Sequence, residues 1–287
     1  MGLIGISSTI SLSQRRHDIR IFISDMIPTL EEVGRIEKVL RDCGSMLLDC
    51  RAAGKTQGKW SGSQFKAEAD NLAHNFLVAS LGKLYPDIPF VSEEDDVNAR
   101  LFAGDHFMID PIDGTASFAQ GFAGWVTQVA YISDGRPVIA AIYAPDSDEF
   151  FSAIRGVGAF CNGRQLHAHE SKAEAESLID NYPEPRGIAL DISQGLHIPK
   201  YVESGSIALK ICRIADLSAD LFVKDMSPRD WDVAAPMLLM AEVGGVITDI
   251  EGKKLQLGRE GRRHQGLVAA ANTSIAKQAH AWLASRK

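Results

Sequence analysis

Residues 106–115 read HFMIDPIDGT and place two aspartates, Asp110 and Asp113, directly after an apolar run. The run predicts a buried strand that ends at Asp110, because Pro111 has no N–H to give to a neighbouring strand. Gly114 allows the sharp turn or the positive φ that the chain needs to leave the strand. Two carboxylates so close together cost free energy unless a cation lies between them. Carboxylates and a free backbone carbonyl suit Mg²⁺ or Mn²⁺ better than zinc, so the stretch predicts a site for a hard cation.

A simpler interpretation is an Asp-Gly turn whose aspartates accept hydrogen bonds from nearby backbone N–H groups. Two other acidic segments must then be explained separately. A short apolar stretch at 88–92 runs into four acids at 93–96, and Asp232 follows Trp231 where a helix is predicted to begin. Taken singly, these are a solvated acidic loop and a capping acid at a helix N-terminus. Their position around the central aspartate pair favours one shared site.

Length and composition are those of a globular protein. The 287 residues can bury one or two substantial cores, and 45% hydrophobic with 23% charged residues is ordinary for this class. The net charge of −7 and the isoelectric point near 5.6 argue against broad binding to nucleic acid or to an anionic membrane. A small anion could still bind where metal ions or backbone N–H groups offset the negative field.

Cysteine usage and the N-terminus predict a cytoplasmic protein. The four cysteines form no CxxC pair, which favours small core residues in a reducing compartment over a disulfide framework or a zinc site. Residues 1–13 lack the basic segment and the cleavage site of a signal peptide. No apolar run reaches the roughly 18 residues that a membrane span needs. Residues 1–25 show no clear period and are interpreted as partly disordered or as an adaptor to a partner subunit.

The first half of the chain predicts two helices followed by an antiparallel meander. Helical spacing from Thr29 predicts the first helix, and a loop at 54–63 ends it. The second helix carries one apolar face (Ala69, Leu72, Phe76 and Leu77) and stops near residues 85–86. Asp70 lies near its start, where the simple interpretation is an acid that complements the helix dipole. Apolar segments separated by turns predict meander strands at 126–133, 137–143 and 149–154.

The second half alternates strand and helix, which indicates a layered α/β architecture. Strands are predicted at 177–181, 220–224, 246–250 and 267–271. Helices are predicted at 206–219, 231–243 and 273–285. We divide the chain into an N-terminal α+β part, 1–172, which carries the acidic residues around Asp110, and a C-terminal α/β part, 173–287, which carries Asp232. The basic cluster Arg259, Arg262, Arg263 and His264 is interpreted as solvated loop surface.

Taken together, the motifs resemble the inositol monophosphatase superfamily. They are the DPIDGT hexapeptide at 110–115, Glu93-Glu94, and Trp231-Asp232 before two small residues. Their order and spacing match that family from about Lys59 to Ala271. Segments 158–163 and 205–209 also resemble the family's hairpin and substrate-side helix. The resemblance implies an αβαβα sandwich of the inositol monophosphatase/fructose-1,6-bisphosphatase type. It also implies a Mg²⁺-dependent phosphoric monoester hydrolase, commonly a homodimer and often sensitive to Li⁺.

The resemblance assigns roles to residues by position. Two to three Mg²⁺ ions, with Mn²⁺ as an alternative, would bind. The first would be held by Glu93, Asp110 and the Ile112 carbonyl, and the second by Asp110, Asp113 and Asp232. A weaker third would lie near Glu93 and Asp70. In the family's inositol-cleaving members an aspartate often stands where this chain has Gln64, which puts the third metal in doubt.

The catalytic and substrate residues are assigned in the same way. Thr115, paired with Asp70, would orient and deprotonate the attacking water, with Glu93 as the third catalytic residue. The N–H groups of Gly114 and Thr115 would bind phosphate oxygens. Ser206 and Asp225 would contact the rest of the substrate.

The substrate class stays open. Asp225 and Arg229 resemble inositol phosphatases and favour inositol-1-phosphate or a similar polyol or sugar phosphate, because a carboxylate near the leaving group would repel a second phosphate. Residues 92–95 and Lys210 resemble 3'(2'),5'-bisphosphate nucleotidases, and histidinol phosphate is a further alternative. A non-catalytic regulatory protein that keeps the fold is the alternative of another class. The partners expected are thus a small phosphorylated substrate and a second copy of the chain, with no membrane and no direct nucleic acid.

Overall fold

The computed structural model describes most of the chain, namely residues 28–61, 64–95, 104–167, 172–258 and 263–286. The interpretation of residues 1–25 lies outside the described residues. The helices are α1 (Leu30–Ala52), α2 (Glu68–Leu84), α3 (Thr115–Gln120), α4 (Ile188–Gly195), α5 (Ile207–Ala215), α6 (Asp230–Glu242) and α7 (Thr273–Ala284). The strands are β1 (Gly58–Ser61), β2 (Gln64–Ala67), β3 (Phe90–Ser92), β4 (His106–Asp113), β5 (Val126–Ser133), β6 (Arg136–Ala144), β7 (Glu149–Ile154), β8 (Gly158–Cys161), β9 (Arg164–Gln165), β10 (Ser177–Asp180), β11 (Lys200–Glu203), β12 (Leu221–Lys224), β13 (Val246–Thr248) and β14 (Leu267–Ala270).

Helices α1 and α2 form the first layer. The Thr29 side chain caps α1 by accepting the Glu32 N–H at 3.2 Å, which satisfies one of the free N–H groups of the first turn. The predicted apolar face of α1 is buried, with Ile36 and Leu40 fully so. In α2 the face differs in one place, because Leu72 is 46% exposed and Ala73 is buried instead.

The first sheet follows these helices, with the order β3-β4-β5-β6-β7-β8-β9. Strand β3 runs parallel to β4, and the later strands form the predicted antiparallel meander. Successive residues of β4 point to opposite faces, so Phe107 and Ile109 pack in the core against α1 and α2 while Met108 packs in the core on the other face. All eight residues of β4 are buried because both faces of the sheet are covered.

Strand β4 corrects one sequence prediction. It does not end at Asp110 but continues to Asp113, which pairs with Val126. The influence of Pro111 shows in the register, which shifts between Asp110 and Asp113 as a bulge or irregularity. Gly114 then leaves the strand at φ 93°, in the left-handed region, as predicted.

The second half forms the remaining layers. Helices α5 and α6 pack together between the first sheet and the second sheet, whose order is β11-β10-β12-β14-β13. Helices α4 and α7 cover the outer face of the second sheet. The αβαβα sandwich is therefore confirmed. The larger core cluster contains residues from before and after residue 172, and the division of the chain there stays a prediction.

Several elements were not predicted. Helix α3 follows Gly114 directly. The hairpin β1–β2 begins within the segment interpreted as a loop at 54–63 and ends at Ala67. Helix α4 and strand β11 lie between 187 and 204, where the sequence gives no strong period, and β11 pairs in parallel with β10. Their structure depends on the neighbouring sheet more than on local pattern. Among the residues that the structure describes, no helix combines the length and the apolar character that crossing a membrane requires.

Candidate active site

The predicted acidic residues meet at one edge of the first sheet. Strands β3 and β4 are parallel, so their carboxyl ends lie at the same edge. Glu93 follows β3, and its N–H donates to the Ile109 carbonyl at 3.2 Å. Asp110 and Asp113 lie in the last half of β4, and Asp232 lies in the first turn of α6. The tertiary fold thus brings together acids that are more than a hundred positions apart in the sequence.

These acids influence one another electrostatically. Burial raises the pKa of Asp110 well above its usual range, and the charges of Glu93, Asp113 and Asp232 raise it further. Burial also raises the pKa of Asp232, again with help from Asp113 and Glu93. Both effects have one physical cause, which is negative charge removed from water with too little positive charge beside it. A cation in this place would relieve both effects.

Asp113 has an anchor that the sequence did not reveal. Its Oδ2 accepts the Ala208 N–H at 2.7 Å and its Oδ1 accepts the Ile207 N–H at 3.3 Å. These two N–H groups belong to the first turn of α5, where backbone donors have no partner within the helix and the dipole favours an anion. Burial still raises the pKa of Asp113, although the helix N–H groups oppose the shift. Asp113 is therefore held in place before any metal binds.

The donor set fits a hard cation. Asp110 Oδ1 is buried and has no hydrogen-bond partner, which is costly unless something else binds that oxygen. Among the described residues, however, no three acidic, histidine or cysteine side chains already converge as a ready metal cage. We attribute this to the anchoring of Asp113 on α5 and to repulsion between bare carboxylates. Oxygen ligands with uncompensated charge are what Mg²⁺ requires.

Thr115 and Asp70 lie together as predicted. The Thr115 hydroxyl is 3.2 Å from Asp70 Oδ1 and 3.0 Å from the Ile112 carbonyl oxygen. Because a hydroxyl carries one proton, it donates to one of these oxygens at a time. Asp70 is only 2% exposed, so the acid at the start of α2 is not a solvated dipole partner. The pair lies at the N-terminus of α3, immediately after the acidic strand.

A close backbone contact positions the other side of the site. The Ser206 N–H donates to the Gly124 carbonyl at 2.5 Å. A Cβ on Gly205 would lie 2.1 Å from the same carbonyl oxygen, so only glycine fits there. The Ser206 hydroxyl accepts the Leu209 N–H at 2.8 Å and caps α5. Ser206 thus fixes the helix that holds Asp113, and its predicted contact with substrate stays a prediction.

Comparison with known proteins agrees with this geometry. The sequence profile of the inositol monophosphatase family matches residues 31–286. The chain belongs to the inositol monophosphatase family.

The matches to individual relatives extend over most of this inositol monophosphatase family member. The Nus factor SuhB of Xylella fastidiosa is 29% identical over 228 residues, which are 75% of this chain and 80% of that protein. Inositol monophosphatase 2 of Solanum lycopersicum is 30% identical over 220 residues, or 72% of this chain and 81% of that protein. The crystal structure of the extragenic suppressor protein suhB from Bartonella henselae has a TM-score of 0.73 and 26% identity, and the match covers 88% of this chain and 98% of that one.

Two residues that were used to separate substrate classes do not offer their side chains to a substrate at the acidic site. In this inositol monophosphatase family member Asp225 is exposed and lines a cleft with Asp191, Trp282 and Arg286, and that lining includes none of the acids described above. Lys210 has no exposed surface, and its ammonium donates to the Asn181 side chain and the Gly205 carbonyl. As the structure stands, Lys210 supports the loop before α5 and cannot touch a substrate.

Proposed function

We propose that this protein hydrolyses a small phosphate monoester with the help of Mg²⁺, with Mn²⁺ as an alternative. The observation that carries the proposal is the buried, unpartnered oxygen of Asp110 beside Glu93, Asp113 and Asp232. Asp110 and Asp113 are buried, and the raised pKa values of Asp110, Asp113 and Asp232 reflect negative charge that too little positive charge offsets. A catalytically idle protein would gain stability by replacing such acids. Membership of the inositol monophosphatase family supports the same reaction class.

Each acid has a proposed role. Glu93, Asp110 and the Ile112 carbonyl would hold one ion, Asp110, Asp113 and Asp232 a second, and Glu93 with Asp70 a weaker third. When bound, the ions would neutralise phosphate charge and lower the pKa of water. The Gln64 side chain is not among the described residues, and the third ion stays a prediction.

The remaining roles belong to Thr115, Asp70 and two backbone N–H groups. If the Ile112 carbonyl is used as a ligand, the Thr115 hydroxyl turns its proton toward Asp70 and can accept a hydrogen bond from the attacking water. Asp70 is then the group that receives the proton. The N–H groups of Gly114 and Thr115 are proposed to bind phosphate oxygens. The leaving group would lie toward Ser206.

The substrate proposed first is inositol-1-phosphate or a similar polyol or sugar phosphate. Nucleoside 3'(2'),5'-bisphosphates and histidinol phosphate remain alternatives, since Asp225 lines a different cleft and Lys210 has no exposed surface. For Asp225 to accept hydrogen bonds from substrate hydroxyls, the segment after β12 would have to move on binding. A homodimer, inhibition by Li⁺ and a cytoplasmic location stay predictions.

A regulatory role is the second candidate, and it rests on the relative named as a Nus factor. Such a role does not require the acids to be kept, whereas the described residues keep every predicted metal carboxylate. The two roles can also coexist in one protein.

Phosphate release by the purified protein tests the proposal. The substrates are inositol-1-phosphate, fructose-1,6-bisphosphate, histidinol phosphate and adenosine 3',5'-bisphosphate, each with Mg²⁺ and with EDTA. Release that requires Mg²⁺ supports the proposal, and the preferred substrate identifies the class. Absence of release from every substrate, in protein shown to be folded by circular dichroism, would favour the regulatory role.

A further inference from the structure

Two arginines from distant parts of the sequence lie side by side at the start of α6. Arg229 and Arg263 are directly opposite each other in an isolated antiparallel bridge, and the His264 N–H donates to the Pro228 carbonyl at 2.9 Å beside it. Residues opposite each other in such a bridge project to the same face, with Cβ atoms about 4.5–5.5 Å apart. Like charges in that arrangement destabilise the pair. The chain therefore holds two cations together against their repulsion.

The first arginine borders the acidic site. The backbone N–H of Arg229 donates to Asp232 Oδ2 at 2.7 Å, and the Arg229 guanidinium lies 5.6 Å from the centre of the Trp231 ring. Burial lowers the pKa of Arg229, and the charge of Arg263 lowers it further, while the charges of Asp232 and Glu93 oppose the shift. Arg229 is thus close to both Arg263 and the acids.

The position of the second arginine is fixed by a buried contact. His264 Nε2 lies 2.9 Å from Asp230 Oδ1, and the Gly258 N–H donates to Asp230 Oδ2 at 2.7 Å. Asp230 is fully buried and His264 nearly so, which fixes Gly258 and His264, and with His264 the adjacent Arg263, against the start of α6. The prediction of solvated loop surface therefore holds for the exposed Arg263 but not for the buried His264.

Arg263 itself is exposed, and among the described residues no carboxylate forms an ion pair with it. Arg263 therefore repels Arg229 without an ion-pair partner of its own in the described part of the chain. Two guanidinium groups on one face match the geometry of a phosphate or a carboxylate, because each offers a planar set of N–H donors.

We propose that Arg229 and Arg263 bind a second anionic group of the substrate, separate from the phosphate that is hydrolysed. The proposal rests on the proposed phosphate monoester hydrolysis. Within that reaction class it favours sugar, polyol or nucleoside phosphates with two anionic groups over the monophosphate inositol-1-phosphate. The acids would bind the reacting phosphate through metal, and the arginine pair would bind the other anion. Discrimination against monophosphates then follows because a second anion bound between Arg229 and Arg263 relieves their mutual repulsion, which a monophosphate leaves in place.

Matched substrate pairs test the inference. One pair is fructose-1,6-bisphosphate and fructose-1-phosphate, and the other is adenosine 3',5'-bisphosphate and adenosine 3'-monophosphate. Rates of phosphate release in Mg²⁺ give kcat/KM for each. The variants are Arg263→Gln, the charge-conserving Arg263→Lys, and Arg136→Gln as a control. Arg136 is exposed at the start of β6 and pairs with Ser133 at one end of β5. Asp113 pairs with Val126 at the other end of β5, so Arg136 is remote from the acidic site.

In at least one pair we expect the wild type to prefer the bisphosphate, mainly through KM. Arg263→Gln should lower that preference about tenfold, the change that about 1.4 kcal/mol of binding energy produces. Arg263→Lys should restore part of it, and Arg136→Gln should leave it as it is. Equal kcat/KM values within both pairs for the wild type, or an equal loss on both members with Arg263→Gln, would overturn the inference alone. No metal-dependent release from any of these substrates by the wild type would overturn the inference. If inositol-1-phosphate in the same assay were not hydrolysed either, the proposed function would be overturned as well.

Discussion

The Thr115 hydroxyl lies 3.2 Å from Asp70 Oδ1, which joins the start of α3 to the start of α2 across 45 positions of sequence. The same hydroxyl lies 3.0 Å from the Ile112 carbonyl oxygen. A single proton is therefore shared between an acid and a proposed metal ligand. Whichever oxygen receives it, the hydroxyl oxygen keeps lone pairs for a water molecule.

Thr115→Val should lower kcat by about 10²- to 10⁴-fold, the range typical of a lost general base, with little change in the Mg²⁺ concentration required. Valine keeps the shape of threonine but cannot accept or donate a proton. Thr115→Ser keeps the hydroxyl and should retain most of the activity. Steady-state phosphate release over a Mg²⁺ titration measures both quantities. A wild-type kcat for Thr115→Val would remove Thr115 from the mechanism.

Asp113→Asn should abolish nearly all turnover while the protein stays folded. The amide oxygen can still accept one N–H from α5, so the anchor to Ile207 or Ala208 is only partly lost. The charge that a cation needs is removed. Asp134→Asn is the control, since Asp134 lies in an exposed turn at φ 49°, a conformation that asparagine tolerates well. Turnover at saturating Mg²⁺ close to that of the control would refute the ligand assignment.

The metal-free protein should become less stable as pH rises. Asp110, Asp113 and Asp232 have raised pKa values in the folded state, so above the usual aspartate value of 3.8 the folded state binds more protons than the unfolded state. The free energy of unfolding then falls with increasing pH. Mg²⁺ competes with these protons for the carboxylates, so the stabilisation by Mg²⁺ should increase as pH rises.

Thermal melting between about pH 5 and about pH 8, with EDTA and with Mg²⁺, measures this effect. Asp110→Asn serves as the matched variant, because it removes one of the raised groups and should flatten the pH dependence. If the metal-free wild type and Asp110→Asn showed the same slope, the uncompensated charge at Asp110 would not be present in solution.

Gly205→Ala should destabilise the protein by about 1–3 kcal/mol, the usual cost of forcing an extra methyl group into a packed site. Its Cβ would lie 2.1 Å from the Gly124 carbonyl oxygen, and neither backbone can yield without losing the hydrogen bond to Ser206. Gly34→Ala is the control, because its Cβ would meet nothing within 4 Å on the exposed side of α1. That variant should be neutral or slightly stabilising. Equal melting temperatures for the two variants would show that the Gly124–Gly205 contact opens at no cost.

Where sequence prediction failed, long-range packing decided the structure. The segment at 54–63 has a loop-like composition, yet part of it pairs as β1 with β2. Leu72 matches a helical apolar pattern, but the face of α2 that meets the sheet is rotated enough to leave it exposed. The predicted end of β4 at Asp110 was wrong because neighbouring strands continue the sheet beyond the irregularity at Pro111. In each case the local pattern is a weaker influence than the partner surface.

The sequence alone determined the buried strand, the left-handed turn at Gly114, the set of acids and the family, because these follow from short patterns in which each residue acts on its near neighbours. Only the tertiary structure decided how those acids are held. The helix N-terminus that anchors Asp113 lies 94 positions away, and Arg263 reaches Arg229 through a bridge that no local pattern predicts. The physical reason is that hydrogen bonds and charge pairs act over a few ångströms in space, and separation along the chain does not reveal that distance.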